Sequence, residues 1–294
     1  MTVLKVRHLT TYRYRRPVGF GEHRMMFRPR DSYDQRLLEA TMTISPRPSA
    51  LRWVHDPFGN AVTLVRFDRD ADELVFESRI TVEHFPDPID FQSEERAKTY
   101  PFSYAPEETP DLAPYMVRQC PDPDGELERW ARRFLRPGQD TPTGRLLMTL
   151  TAAVGESFVY NRRTESGTQD PLTTLRLGRG TCRDFALFMM EAVRSLGFAA
   201  RFVSGYLYVP TRDGPRHLGG GSTHAWVQVY LPGAGWVEFD PTNGIIGNRD
   251  LIRVAVARMP SQAVPLSGTF LGRAEDELGM TVEVQVTSND PAAG

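Results

Sequence analysis

The chain has 294 residues, 40% hydrophobic and 24% charged, with a formal net charge of -2. That length suits one large domain or two ordinary ones, in a normal globular composition. A charge so near zero gives no global attraction to polyanions, no apolar run is long enough to cross a bilayer, and the N-terminus lacks the apolar block of a signal peptide, so neither a nucleic acid nor a membrane is expected as partner and the expected compartment is the cytoplasm.

Residues 1–90 read as short strands separated by turns. Val3 to Tyr14 alternates, with Tyr12 and Tyr14 on one face, and Pro17 and Gly19 close the run. Further strands are expected at Leu37–Ile44, Ala61–Phe67 and Leu74–Phe85, with a turn at Asp56-Pro-Phe-Gly-Asn60. The pattern predicts an N-terminal β-sandwich. Arginines cluster here at Arg13, Arg15 and Arg16, then at Arg24, Arg28 and Arg30. Asp68, Asp70, Asp72, Glu73, Glu77 and Glu83 follow in the same segment. Mutual neutralisation inside the domain is therefore expected, rather than a phosphate-binding patch.

Residues 91–140 read as a connecting region, rich in proline and acidic residues, with a short helix at Glu126–Leu135. An α+β core is expected over 141–250. It opens with an amphipathic helix from Thr143 to Phe158 and a helical turn at Pro171–Leu177. The next helix begins at Cys182 and carries Phe185, Phe188, Met189, Ala192, Val193 and Leu196 at helical spacing, with Gly197 placed to cap it. Strands follow at Ala200–Val209, His224–Leu231 and Gly235–Phe239. Residues 251–294 are expected as an extension with one strand, Met280–Thr287, and a tail from Ser288.

Cys182 lies in Gly178-Arg-Gly-Thr-Cys-Arg-Asp-Phe185, where a glycine-punctuated loop enters a helix. The positive end of a helix dipole and a neighbouring imidazolium both stabilise a thiolate, which is the reactive form. Backbone N–H groups at the same helix start are placed to hold an oxyanion. His224 sits on the next strand but one, in Thr223-His-Ala-Trp226, and Asp240 ends the strand after that. If the hairpin pairs symmetrically about Gly233, Trp226 faces Asp240 and His224 is diagonal to it on the same face. A slip of one residue would separate them. Thiol, imidazole and carboxylate in this order point to a cysteine nucleophile with His224 as base and Asp240 as orienting group. With only Cys120 and Cys182 in the chain, a disulfide framework is not expected. No spacing supports a zinc site or a phosphate loop, so no metal or cofactor is expected.

These blocks, with Arg201-Phe-Val-Ser-Gly-Tyr206 and Gly235-Trp-Val-Glu-Phe-Asp-Pro-Thr-Asn243, resemble the bacterial transglutaminase-like superfamily. His8, Tyr12, Tyr14, Pro17, His23, Arg28, Pro29 and Asp56–Asn60 resemble the β domain that precedes the core in many of its bacterial members. The resemblance implies a papain-like α+β core, with Cys182 as nucleophile, His224 as general base and acid, and Asp240 as orienting carboxylate. It implies an acyl-thioester formed from a peptide or protein amide and released to water or to an amine. Members commonly described as cysteine proteases make a peptidase or amidase the leading expectation. A true amine-acceptor transglutaminase and a non-catalytic peptide-binding protein are the alternatives. Tyr160, upstream of the nucleophile, is a candidate oxyanion donor by analogy with the aromatic residue used in animal transglutaminases. Tyr206 and Trp226 are candidate pocket walls. The loop Asp213–Gly221 is expected to gate the site. Oligomeric state is left open.

Overall fold

A computed structural model describes residues 2–86, 92–161, 167–209 and 221–288. The expected Asp213–Gly221 gate, save for Gly221, and the tail beyond Ser288 lie outside the described residues.

The fold is α+β. The alternating N-terminal run forms one long strand, Thr2–Phe20, that turns its Leu4, Val6, His8 and Thr10 side chains inward. It pairs antiparallel with Ala71–His84 on one side and with Glu277–Ser288 on the other, and Gln35–Ser45 flanks the Ala71–His84 strand. A second sheet holds Leu266–Ser267, His23–Met25, Ala61–Arg66 and Ala50–His55. Tyr14, Phe20, Met25, Phe27, Val65 and Phe76 fill the space between the two sheets, as a sandwich requires. Three of these arginines have acidic partners: Arg13 pairs with Glu73 and Arg24 with Asp56 inside the domain, and Arg16 with Asp276 of the C-terminal segment.

The segment after Asp250 does more than the expected single strand. Leu251–Ala257 completes the core sheet, Leu266–Ser267 joins the second sandwich sheet, and Glu277–Ser288 lies along the first strand. Alternation in Met280–Thr287 marks a half-buried strand but carries no information about its partner, which is why sequence left the docking sheet open.

The core sheet is antiparallel, in the spatial order Ile245–Ile246, Gly235–Asp240, His224–Leu231, Ala200–Leu207, Leu251–Ala257. The helix Cys182–Ser195 packs on one face, where Phe185, Ala186, Met189 and Val193 join Phe202, Ala225, Val227, Val229 and Ala257. Its far side is covered too, by the helices Glu126–Arg132, Thr143–Ser157 and Pro171–Leu177. Even Glu191 and Arg194 are buried there, as an ion pair 2.7 Å apart. Glu191 accepts the N–H groups of Gln119 and Cys120, and Arg194 donates to the carbonyls of Tyr115, Ala200 and Arg258, so the connecting region is clamped to the helix. The helix ends as expected at Gly197, whose φ of +88° lets Phe198 N–H return to the Val193 carbonyl.

Sandwich and core share packing. Leu4, Val6, Ile80 and Val82 meet Tyr206, Ile252 and Val254. The Asn60 side chain bonds both backbone groups of Val256, and Asp34 pairs with Arg253. Each contact joins the first ninety residues to the edge strand of the core sheet, so the two domains are fixed to one another beside the helix that begins at Cys182.

Candidate active site

The helix that begins at Cys182 starts on a closed local device. Thr181 is its N-cap, accepting from Asp184 N–H, and Asp184 in turn accepts from the Thr181 N–H at 2.8 Å. Asp184 also accepts from Gln169 N–H at 2.6 Å, which ties the preceding segment to the helix. Cys182 is therefore the first helical residue, with 6% of its surface exposed. Its thiol sits at the positive end of a fourteen-residue helix dipole.

The hairpin that carries the other two groups pairs Leu231 with Gly235 and Val227 with Phe239, symmetric about Gly233. One more step along that register sets Trp226 against Asp240 and His224 diagonal to it, as the sequence predicts. His224 Nε2–H donates to Asp240 Oδ2 at 2.7 Å, and both side chains are wholly buried. A carboxylate can only accept, so this bond fixes the tautomer and leaves Nδ1 as the second ring nitrogen. Nδ1 is buried with no aligned hydrogen-bond partner, while the Cys182 sulfur is close enough to act on the ring. Burial alone would lower the His224 pKa. The Asp240 charge and hydrogen bond, followed by the Cys182 sulfur, overcome it and push the pKa up to about 10.

Asp240 is itself held in place. Burial favours its neutral form, but the His224 ring, the Asn243 side chain and the Thr242 N–H together keep its pKa below the usual carboxylate range. Asn243 Nδ2 donates to Oδ2 at 2.8 Å, and Thr242 N–H donates to Oδ1 at 2.9 Å. A thiol at a helix start, an imidazole beside it and a buried, fully ligated carboxylate behind the imidazole thus stand together.

Residues 4–83 match the bacterial transglutaminase-like N-terminal region, and residues 128–241 match the transglutaminase-like superfamily. The chain belongs to the transglutaminase-like superfamily. An uncharacterized protein of Mycobacterium tuberculosis (strain H37Rv) is 28% identical over 288 residues, spanning 93% of this chain and 89% of the relative. An uncharacterized protein of Mycobacterium leprae is 38% identical over 114 residues, 38% of this chain and 40% of the relative. Among solved structures, a candidate cysteine protease from Cytophaga hutchinsonii superposes with a TM-score of 0.73 at 17% identity, covering 98% of this chain and 91% of that one. At that identity the likeness speaks for the fold alone.

Within this transglutaminase-like core the other sequence candidates take different places. Tyr160 lies in a two-residue strand parallel to Arg179–Gly180, directly opposite Gly180, so the chain brings it alongside the loop that delivers Cys182. Trp226 is fully buried. Its ring stacks beside His224, with centroids 6.0 Å apart and planes at 27°, which makes it a backing plate for the imidazole rather than an open pocket wall. Tyr206 is not brought to the pair. It faces the sandwich, and its hydroxyl meets His8 Nδ1 at 2.9 Å. The reason is strand alternation: His224 stands opposite Gly205, so the next residue, Tyr206, points to the other face of the sheet.

Three supporting residues had no role in the sequence reading. Asn243 holds Asp240. Glu238 accepts the indole N–H of Trp226 at 2.6 Å and an amide hydrogen of Gln228 at 2.7 Å. Arg253 pairs with Glu238 at 2.7 Å and with Asp34 at 2.9 Å. Two of the three had a legible signal. Asn243 follows Asp-Pro-Thr, a turn in which an amide side chain naturally returns to the aspartate. Glu238 shares the His224 and Asp240 face by period two. Arg253 comes from a strand whose place in the sheet no local pattern announces. Gly205, opposite His224, has a packing reason: a Cβ there would stand 2.1 Å from the Ile252 carbonyl oxygen and 2.7 Å from the Trp226 ring.

Among the described residues no group of three or more His, Cys, Asp or Glu is arranged to hold a metal ion, and no helix is long and apolar enough to cross a membrane. Cys120 is a free thiol whose pKa is pushed up to about 12 by burial, then by Glu191 and Asp170.

Proposed function

We propose that this transglutaminase-like protein is a cysteine enzyme that cleaves a peptide or side-chain amide through an acyl-thioester on Cys182. The observation that carries the proposal is the buried His224 ring, bonded to Asp240 through Nε2 with the Cys182 sulfur beside it.

In this reading His224, protonated at neutral pH by its pKa of about 10, holds on Nδ1 the proton that pairs with the Cys182 sulfur, and Asp240 stabilises that imidazolium. The Cys182 sulfur attacks the amide carbonyl. Backbone N–H groups at the start of the helix hold the oxyanion, with Tyr160 as a further donor. The intermediate collapses to the thioester as His224 returns its proton to the departing amine. Water, activated by the same Nδ1, then releases the acid. An amine arriving in place of water would give transfer, and the relay is the same for both.

Incubation of the protein with a peptide library tests this, read by mass spectrometry of Cys182. The expected result is an acyl adduct on Cys182 with release of amine, lost in Cys182→Ala. Added amine separates the two outcomes: a constant yield of acid at high amine concentration marks a hydrolase, and partition into the new amide marks a transferase. Folded protein that forms no adduct with any amide or thioester would overturn the reading in favour of a binding role.

A further inference from the structure

A cavity of about 590 Å³ lies between the sandwich and the core, where the N-terminal end of the nucleophile helix meets the first sheet. Neither Cys182 nor His224 is on its wall, but Arg183 and Thr223, their direct chain neighbours, both are, so the cavity lies one residue along the chain from each. The rest of the wall is mainly apolar and comes from both domains, including Leu187 of the helix and Met280 and Val282 of the returning strand. A mostly apolar hollow of this size with a few polar groups has the make-up of a small-ligand site.

Arg183 is the unusual member. Its guanidinium donates to the Pro260 carbonyl at 2.7 Å and lies 4.8 Å from the centre of the Phe202 ring. Among the described residues it has no carboxylate within ion-pair distance. Arg194 and Arg253 of the same core each hold one, whereas Arg201 bonds Gln228 and lies 4.1 Å from the centre of the Trp236 ring, away from this cavity. A cation withdrawn from water without a counter-ion is costly, and a ligand carboxylate would repay that cost. The other charged candidates on the wall do not compete. Asp170 is committed to the N–H groups of Leu172 and Thr173, capping its helix. His8 is held neutral by burial, its pKa lowered to about 4, and its ring is engaged by Tyr206 and Thr10.

We infer that this cavity receives an apolar group of the substrate that also bears a carboxylate, and that Arg183 is the residue that selects it. The inference rests on the Cys182 reading, and it adds the substrate class: a peptide amide with an apolar residue and a negative charge next to the reacting bond. The carboxylate is either a free C-terminus or an acidic side chain.

Chloroacetyl-leucine, its neutral analogue chloroacetyl-leucinamide, and the chloroacetyl derivative of α-amidated glutamate test this on the intact protein. In each, the Cys182 sulfur forms a bond to the methylene carbon, the carbon–chlorine bond breaks and chloride leaves, while the proton the sulfur gives up stays on the His224 imidazolium. The rate of labelling at Cys182, separated from Cys120 by peptide mapping, is read against probe concentration. The expected result is saturable labelling by a carboxylated probe with an efficiency about 10-fold or more above leucinamide, the scale of a charge-assisted pair. Whichever carboxylated probe is favoured identifies the source of the charge. Arg183→Gln should bring the ratio near one, whatever the absolute rates, and Arg183→Lys should keep part of it. Prompt labelling by all three probes with a ratio near one in the unaltered protein overturns the carboxylate site and leaves the nucleophile intact. Folded protein labelled at Cys182 by none of them overturns the nucleophile reading itself.

Discussion

The outer strand of the sandwich and the inner strand of the core sheet use the same alternation for opposite ends. Gln35–Ser45 buries one residue fully and leaves most others half-exposed or exposed, whereas His224–Leu231 buries every residue but Tyr230. Ion pairs follow the same division. In the sandwich, Arg13–Glu73 and Arg79–Glu77 lie at the surface, where water screens them and each is worth little. In the core, His224–Asp240 is wholly buried and Arg253–Glu238 nearly so, and there an unpaired member would be expensive. Charge on the sandwich keeps a sheet in solution, and charge in the core sets the position and protonation of a few atoms.

Cys182→Ala should cut amide turnover by at least about 10⁴-fold while leaving the thermal transition in place, which would confirm that the core pays for chemistry and not only for packing. Asp240→Asn comes next. It should lower turnover by about 10²- to 10⁴-fold, because the imidazole loses the charge that orients it and favours its protonated form. The sign of its pH effect is fixed. His224 has a folded pKa of about 10, above the value of about 6.5 for a free imidazole, so the pair's contribution to stability is complete below the lower value and fades as pH rises through the upper one. Unfolding measured from pH 6 to pH 11 should show that loss in the parent, and the loss should shrink in the variant.

Arg253→Met strips the counter-ion from Glu238 and Asp34 together and should cost about 3 kcal/mol or more, read from the urea midpoint. Gly205→Ala forces the Trp226 ring or the Ile252 carbonyl aside and should cost about 1–3 kcal/mol, with a matching fall in Cys182 labelling as the imidazole loses its backing. Arg13→Ala, on the sandwich surface, should change stability by less than about 0.5 kcal/mol. If Arg13→Ala matched Arg253→Met, the contrast between the two regions would fail.

Much of the site was legible because its parts are local. The helix start at Cys182 is announced by its glycine loop, and the His224–Asp240 diagonal follows once the short hairpin pairs symmetrically about Gly233, as it does here. Tyr206 shows where such reasoning stops. It sits in the same resembling block as Gly205, but one step along a strand reverses the face, and the sandwich takes it. Glu238 was readable by alternation as a neighbour of Asp240, yet only its partners Trp226 and Arg253 reveal why a carboxylate is buried there.

By itself the sequence determined the α+β class, the sandwich and the helix start that presents the thiol, and it offered the symmetric register that joins imidazole to carboxylate, since turns and alternation act within a few residues. The tertiary structure decided what distance along the chain conceals: that the last strand returns to the first, that Arg253 bridges Glu238 and Asp34, and that a cavity opens between sandwich and core beside Arg183. Those depend on which buried faces meet, and burial is settled by the packing of the whole chain rather than by any one segment of it.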